Sequence, residues 1–137
     1  MKFIDLNGNL RTLKKASENC VDWEGECRSK FQKKVKEFLF EYWKYDLVLE
    51  EMKVVGTALS IDIYNATQKV AIEVQGEQHT KHVSFFHGSK SQRGLSKQFE
   101  RDEKKLKFCK LNDITMIEIY KIEECTIEFF AEHGIIL

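Results

Sequence analysis

The chain of 137 residues contains no proline. With no low-complexity stretch and no internal repeat, nothing in it reads as a linker, and one domain is the expectation. No apolar run approaches the roughly 18 residues that a membrane-spanning helix needs, so no membrane partner is expected. The opening residues Met1-Lys2-Phe3-Ile4-Asp5 lack the apolar stretch of a secretory signal, which points to a cytoplasmic protein. Four cysteines (Cys20, Cys27, Cys109 and Cys125) include no CxxC pair, which argues against a zinc ribbon and for reduced, mostly buried thiols. A split zinc site joining the early and late pairs stays open. Net charge is also missing, with 22 Lys/Arg against 22 Asp/Glu.

That balance hides an asymmetry. Residues 81–110 carry nine Lys/Arg against three Asp/Glu, so this segment is +6 and the remainder −6. A basic segment beside a carboxylate-rich remainder suits a protein that approaches a polyanion and holds a cation. A solvated helix face would produce the same run. Apolar residues at 42% and charged residues at 32% are ordinary for a globular chain, and one of this length buries roughly 68% of its unfolded surface.

The most informative stretch runs from Ile61 to His79. Ile61-Asp62-Ile63-Tyr64 alternates apolar and polar, and Lys69-Val70-Ala71-Ile72-Glu73-Val74-Gln75 resumes the alternation after Asn65-Ala66-Thr67-Gln68. This predicts a β-hairpin. Period two puts Glu73 and Gln75 on one face, with Asp62 able to meet them from the neighbouring strand. Paired carboxylates there suit a hard divalent cation.

Elsewhere, residues 3–11 read as a strand pair turning at Asn7-Gly8, anchored by Phe3, Leu6 and Leu10. A helix is predicted over residues 24–43, capped by Asp22, with Phe31, Val35, Phe38, Leu39 and Tyr42 as its apolar stripe. Glu24 and Glu26 suit its first turn through the helix dipole. Residues 47–55 read as strand interrupted at Glu50-Glu51 and stopped by Gly56. Gly76 ends the hairpin, and a loop holding His79, His82 and His87 runs to about Ser91, long enough to suggest function. A second helix follows, from about Ser91 or Leu95 to Asn112. Its stripe of Leu95, Phe99, Leu106 and Cys109 also carries Asp102, which there needs a cation, an ion pair or an edge position open to solvent. Residues 115–120 form a strand, and residues 122–133 a helix with Ile127, Phe130 and Ala131 inward, stopped at Gly134. A helical crossover makes the strands at 69–75 and 115–120 parallel neighbours. The predicted fold class is α/β (α+β), a mixed sheet flanked by helices. Within the single domain, residues 1–22 are an extension, 23–122 the core and 123–137 a closing helix.

The order Gly25-Glu26, then Asp62, then Glu73-Val74-Gln75-Gly76-Glu77-Gln78-His79, then Arg101-Asp102 resembles the PD-(D/E)xK nuclease superfamily. Within it, the pattern is similar to the very-short-patch-repair-like branch of phage and homing endonucleases with an E-D-x-H-D signature. Phe85-Phe86-His87-Gly88 also resembles a loop of the phage members. Residues 24 to 120 carry the likeness. Two departures stand out: Ser60-Ile61 replaces the proline before the aspartate, and Gln75 occupies the superfamily lysine position.

The resemblance implies a restriction-endonuclease-like core and a Mg²⁺- or Mn²⁺-dependent DNA endonuclease, phage- or mobile-element-related, working in the host cytoplasm. It implies metal ligands at Asp62 with Glu73 or the Val74 carbonyl, and a water-activating His79 in place of the lysine. An imidazole with an unperturbed pKa near 6.5 suits a general base at neutral pH, worth ~10²–10⁴ in rate. Glu26 and Asp102 would support the metal, its waters or His79, and Gln75 would position water or phosphate. Lys90, Arg93, Lys97, Arg101, Lys104 and Lys105 are the candidate phosphate contacts. Without an added recognition domain, structure-directed cleavage, nicking or a homodimer are the open modes. A catalytically silent nucleic-acid- or partner-binding protein, a junction resolvase and an RNA-directed nuclease are the alternatives.

Overall fold

A four-stranded sheet forms the centre of the computed structural model, which describes residues 1–27, 29–75 and 89–137, the side chains of residues 89–96 excepted. Before it comes a small hairpin of β1 (Lys2–Ile4) and β2 (Leu10–Thr12), whose turn uses Gly8 at φ 86°. Phe3 is buried as expected, but Leu10 is 66% exposed, because the hairpin packs through its first strand. Arg11 pairs with the buried Asp5, which also accepts backbone N–H bonds from Asn7 and Asn9 and so knits the turn.

Helix α1 (Lys30–Trp43) starts six residues later than the periodicity suggested. Ser29 is its cap, accepting from the Gln32 N–H at 3.1 Å. Asp22 instead caps a separate turn through the Glu24 N–H, so Glu26 precedes the helix and gains nothing from its dipole. The buried face is Gln32, Val35, Lys36, Leu39 and Trp43. It is rotated by about one residue from the predicted stripe, leaving Tyr42 exposed. Trp43 outweighs Tyr42 as an anchor, and Lys36 follows it inward because its ammonium finds the Asp22 carbonyl and the Glu50 carboxylate.

Strands β3 (Val48–Lys53), β4 (Ser60–Asn65) and β5 (Val70–Val74) form an antiparallel meander. Helix α2 (Ser89–Leu111) then crosses to β6 (Thr115–Ile119), which pairs parallel with β5, and a short α3 (Ile127–Glu132) ends the order. The sheet order is β3-β4-β5-β6, a mixed sheet with helices on it, as the sequence predicted. Glu50 and Glu51 do not break β3: Glu51 takes a left-handed conformation (φ 51°) and the strand continues.

Successive β5 residues enter different cores. Ala71 joins Tyr64, Ile61, Phe108, Cys109 and the N-terminal hairpin, while Val70 and Ile72 join Val35, Leu39, Trp43 and Phe130. The sheet is thus covered on one side by α2 and the hairpin and on the other by α1 and α3. Among the described side chains of α2 Phe108 and Cys109 are buried; of the predicted stripe Cys109 is thus in the core, while Phe99 at 64% and Leu106 at 43% stand exposed. The C-terminal segment splits at Cys125 into a 3-10 turn and α3. Only Phe130 of its three predicted anchors is buried, and Gly134 (φ 81°) stops the helix as expected. Of the four free cysteines Cys109 alone is buried, and Cys20 is exposed. No helix among the described residues is long and apolar enough to cross a membrane.

Candidate functional site

The backbone ladder between β4 and β5 runs through Asn65–Val70, Tyr64–Ala71 and Ile63–Ile72, then stops. One step further, side chains take over. The Asp62 N–H donates to Glu73 Oε1 at 3.2 Å, and the Val74 N–H donates to Asp62 Oδ2 at 2.8 Å. Meanwhile β5 stays on β6 through Glu73–Glu118 and Val74–Ile119, and the Gln75 N–H reaches the Ile119 carbonyl. The sheet therefore opens between Asp62 and Glu73 while β5 holds to its other neighbour. Two carboxylates are wedged where backbone pairing would have been.

Burial makes this costly. Glu73 is only 4% exposed, and its carboxyl is pushed up from 4.5 to about 7 by desolvation and then by the neighbouring Asp62 charge. Lys105 opposes that rise: its Nζ lies 2.9 Å from Glu73 Oε2, and its side chain is 14% exposed. Cys109, one helical turn beyond, has its thiol pushed up to about 12, first by burial and then by the Glu73 charge. It is a core residue rather than a nucleophile.

Lys105 was expected among the phosphate contacts. The structure instead ties it into the carboxylate pair, so a lysine does reach the site, from the helix wall rather than from position 75. Its spacing of three and four residues before Phe108 and Cys109 was the available signal, since those two mark the inward face of α2. Gln75 follows Glu73 by two residues at the same strand end. Among the described residues its buried Nε2 donor meets no acceptor.

The two outer members of the sequence pattern lie apart from this pair. Glu26 is exposed and lines a cleft of about 120 Å³ with Cys27, Gln32, Glu50 and Glu51, against β3. Glu51 falls between the paired Glu50–Ile63 and Met52–Ile61 of the β3–β4 register, and accepts from Ser60 Oγ. Asp102 accepts from Gln98 and lines a groove of about 790 Å³ with Phe99, Leu106, Glu118, Tyr120 and Phe129. It sits one turn before Lys105 on α2. Glu118, which the sequence reading passed over, is in register with Glu73 and accepts from the Tyr120 hydroxyl. The alternation of Thr115-Met116-Ile117-Glu118-Ile119 already put it on the Glu73 side. Lys97, Arg101 and Lys104 are exposed on α2. His79 and Phe85 to Gly88 lie outside the described residues, as do the side chains of Lys90 and Arg93.

Among the described residues no three His, Cys, Asp or Glu side chains converge as a complete metal cage. The pair is still a fitting donor set for Mg²⁺, which keeps most of its waters and takes one or two carboxylates. Two carboxylates in a desolvated notch require positive charge, and oxygen is the donor a hard cation prefers.

No family model and no solved structure matches the sequence. It is similar to three viral proteins. Uncharacterized protein 094L of Frog virus 3 (isolate Goorha) is 45% identical over 64 residues, 47% of this chain and 41% of that protein. Uncharacterized protein 307L of Invertebrate iridescent virus 6 is 38% identical over 61 residues, 44% of this chain and 30% of that protein. Uncharacterized protein 033L of Invertebrate iridescent virus 3 is 35% identical over 66 residues, 48% of this chain and 33% of that protein. The chain spans less than half the length of each.

Proposed function

We propose that this chain is a divalent-metal-dependent DNA endonuclease that hydrolyses phosphodiesters by attack of water. The observation that carries the reading is the opening of the β4–β5 ladder around Asp62 and Glu73, which sets two carboxylates at one strand end. When bound, Mg²⁺ or Mn²⁺ supplies charge neutralisation on the phosphoryl oxygens and a lowered pKa for the attacking water. Asp62 and Glu73 would hold it through oxygen, with the Val74 carbonyl at the same strand end. His79 takes the proton from water, and the Gln75 Nε2 donor holds that water or a phosphoryl oxygen. Glu26 and Asp102, from the flanking cleft and groove, order the surrounding waters. Lys97, Arg101 and Lys104, continued by Lys90 and Arg93, hold the DNA backbone electrostatically. One such site nicks a strand; a double-strand break would require a homodimer. With relatives in viruses, such an enzyme would act in the cytoplasm of a host cell.

The test is nicking of supercoiled plasmid in Mg²⁺ or Mn²⁺ by wild type and Asp62→Asn, whose amide still accepts the Val74 N–H. Wild type is expected to nick and the variant to lose cleavage with an unchanged far-UV spectrum. A wild type that never nicks, or an Asn variant that nicks equally, refutes the reading. The Lys105–Glu73 ion pair favours one rival, a catalytically silent DNA-binding protein whose Glu73 stays paired with Lys105. That rival predicts salt-sensitive DNA binding with no nicking under any metal.

A further inference from the structure

We propose that the Lys105 ammonium is the built-in counter-ion of Glu73, and that a divalent cation displaces it from that carboxylate. This rests on the metal-dependent reading above and specifies how the site passes between its metal-free and metal-bound states.

The geometry begins with Glu73. One of its oxygens accepts the Asp62 N–H and the other takes Lys105 at 2.9 Å, so both are engaged before any metal arrives. Among the described residues, the titratable groups at this end of the sheet from β6 and the preceding turn of α2 include two acids. Glu118 stands in register beside Glu73, and Asp102 precedes Lys105 by three residues. A carboxylate this deeply buried is not left uncompensated. Lys105 compensates it, delivered by a helix that cannot drift, because Phe108 and Cys109 anchor its next turn in the core.

A divalent cation would bring two positive charges to the Glu73 carboxylate, whose Oε2 the ammonium already occupies. Both together would set like charges against each other across one carboxylate, with little water to screen them. Glu73 Oε2 therefore serves one or the other. Lysine is suited to leaving: its compact charge rides on a flexible four-carbon stem, without the planar fork by which arginine locks onto a carboxylate. Its side chain is 14% exposed, so it is not sealed from solvent. Once displaced, it joins the exposed Arg101 and Lys104 on α2, adding a positive charge near the scissile phosphate only when the metal is in place. A purely structural ion pair would keep Lys105 on Glu73 in every state.

Lysine footprinting of the wild-type protein distinguishes the two. Brief acetylation with a small activated ester, with and without saturating Mn²⁺, is read by peptide mass spectrometry. Labelling of Lys105 is expected to rise severalfold with Mn²⁺ while Lys104 and Lys107 stay constant. Calorimetric Mn²⁺ titration supplies the second arm. Lys105→Met, which removes the competitor, should bind Mn²⁺ about tenfold tighter, equivalent to ~1.4 kcal/mol, and Lys105→Arg should not. Mn²⁺ binding to wild type with unchanged Lys105 labelling overturns the displacement and leaves the nuclease reading standing. Equal or weaker binding by Lys105→Met does the same. If neither wild type nor Lys105→Met binds Mn²⁺, the metal-dependent reading falls and the displacement with it.

Discussion

Replacing Glu73 by glutamine should stabilise the fold at pH 8 and change it little at pH 5. In the native state burial and the Asp62 charge lift the Glu73 carboxyl from 4.5 to about 7. Between those values the folded protein holds a proton that the unfolded chain has lost. Stability therefore falls as pH rises from about 4.5 and levels off above about 7. A rise of that size corresponds to about 3 kcal/mol once Glu73 is fully ionised. Glutamine stays neutral at every pH, keeps the shape, and still accepts the Asp62 N–H through its carbonyl oxygen. Lys105 loses its partner in the variant, which offsets part of the gain, although its flexible stem lets the ammonium turn toward water. The expected net is about 1–3 kcal/mol of added stability at pH 8 and under about 1 kcal/mol at pH 5. Urea unfolding followed by far-UV circular dichroism at the two pH values measures both numbers. A variant less stable than wild type at pH 8, or shifted equally at both pH values, would mean that Glu73 is not held at a cost in the native state. The carboxylate would then be an ordinary structural partner of Lys105.

Two further predictions address the helices on either side. Lys36 is buried at 1% and joins Glu50 to the Asp22 carbonyl, so Lys36→Met should cost about 2–3 kcal/mol, discounted for a Glu50 that is 21% exposed. Adding Glu50→Leu should recover much of that in thermal melts, since an apolar pair needs no counter-charge. If DNA lies along α2, Lys97→Ala, Arg101→Ala and Lys104→Ala combined should flatten the log–log salt dependence of duplex binding by about 2–3, at roughly 0.9 per phosphate contact. Anisotropy titrations at several salt concentrations measure the slope, and an unchanged slope would take the DNA off this face.

What could be read from the residues depended on how local their signals were. The hairpin of β4 and β5 was legible because period-two alternation on both sides of a polar turn has no helical equivalent, and the turn lies one residue beyond the predicted Asn65 to Gln68, since Asn65 still pairs with Val70. The parallel β6 and the mixed sheet followed from the single crossover helix between two strands. Gly8 and Gly134 marked turns that require positive φ. Phases and ends were less legible. Both Asp22 and Ser29 are good caps, and only the packing of Trp43 and Lys36 decided which one starts α1. The stripe read on α2 held at Cys109 but not at Phe99 and Leu106, which stand exposed, while the sheet meets that helix also through Phe108 and Lys105.

The candidate site divides along the same line. Its two carboxylates were visible as polar residues interrupting apolar strands, because a charge at a strand position demands a reason wherever it occurs. That the strands part between Asp62 and Glu73, with side chains replacing the backbone ladder, is a consequence of register and could not be read from either strand alone. The sequence also showed a site without its lysine at Gln75. Tertiary structure decided otherwise, bringing Lys105 to Glu73 across 32 positions, because a buried carboxylate draws its counter-charge from whatever element packs over it, not from its neighbours in the chain.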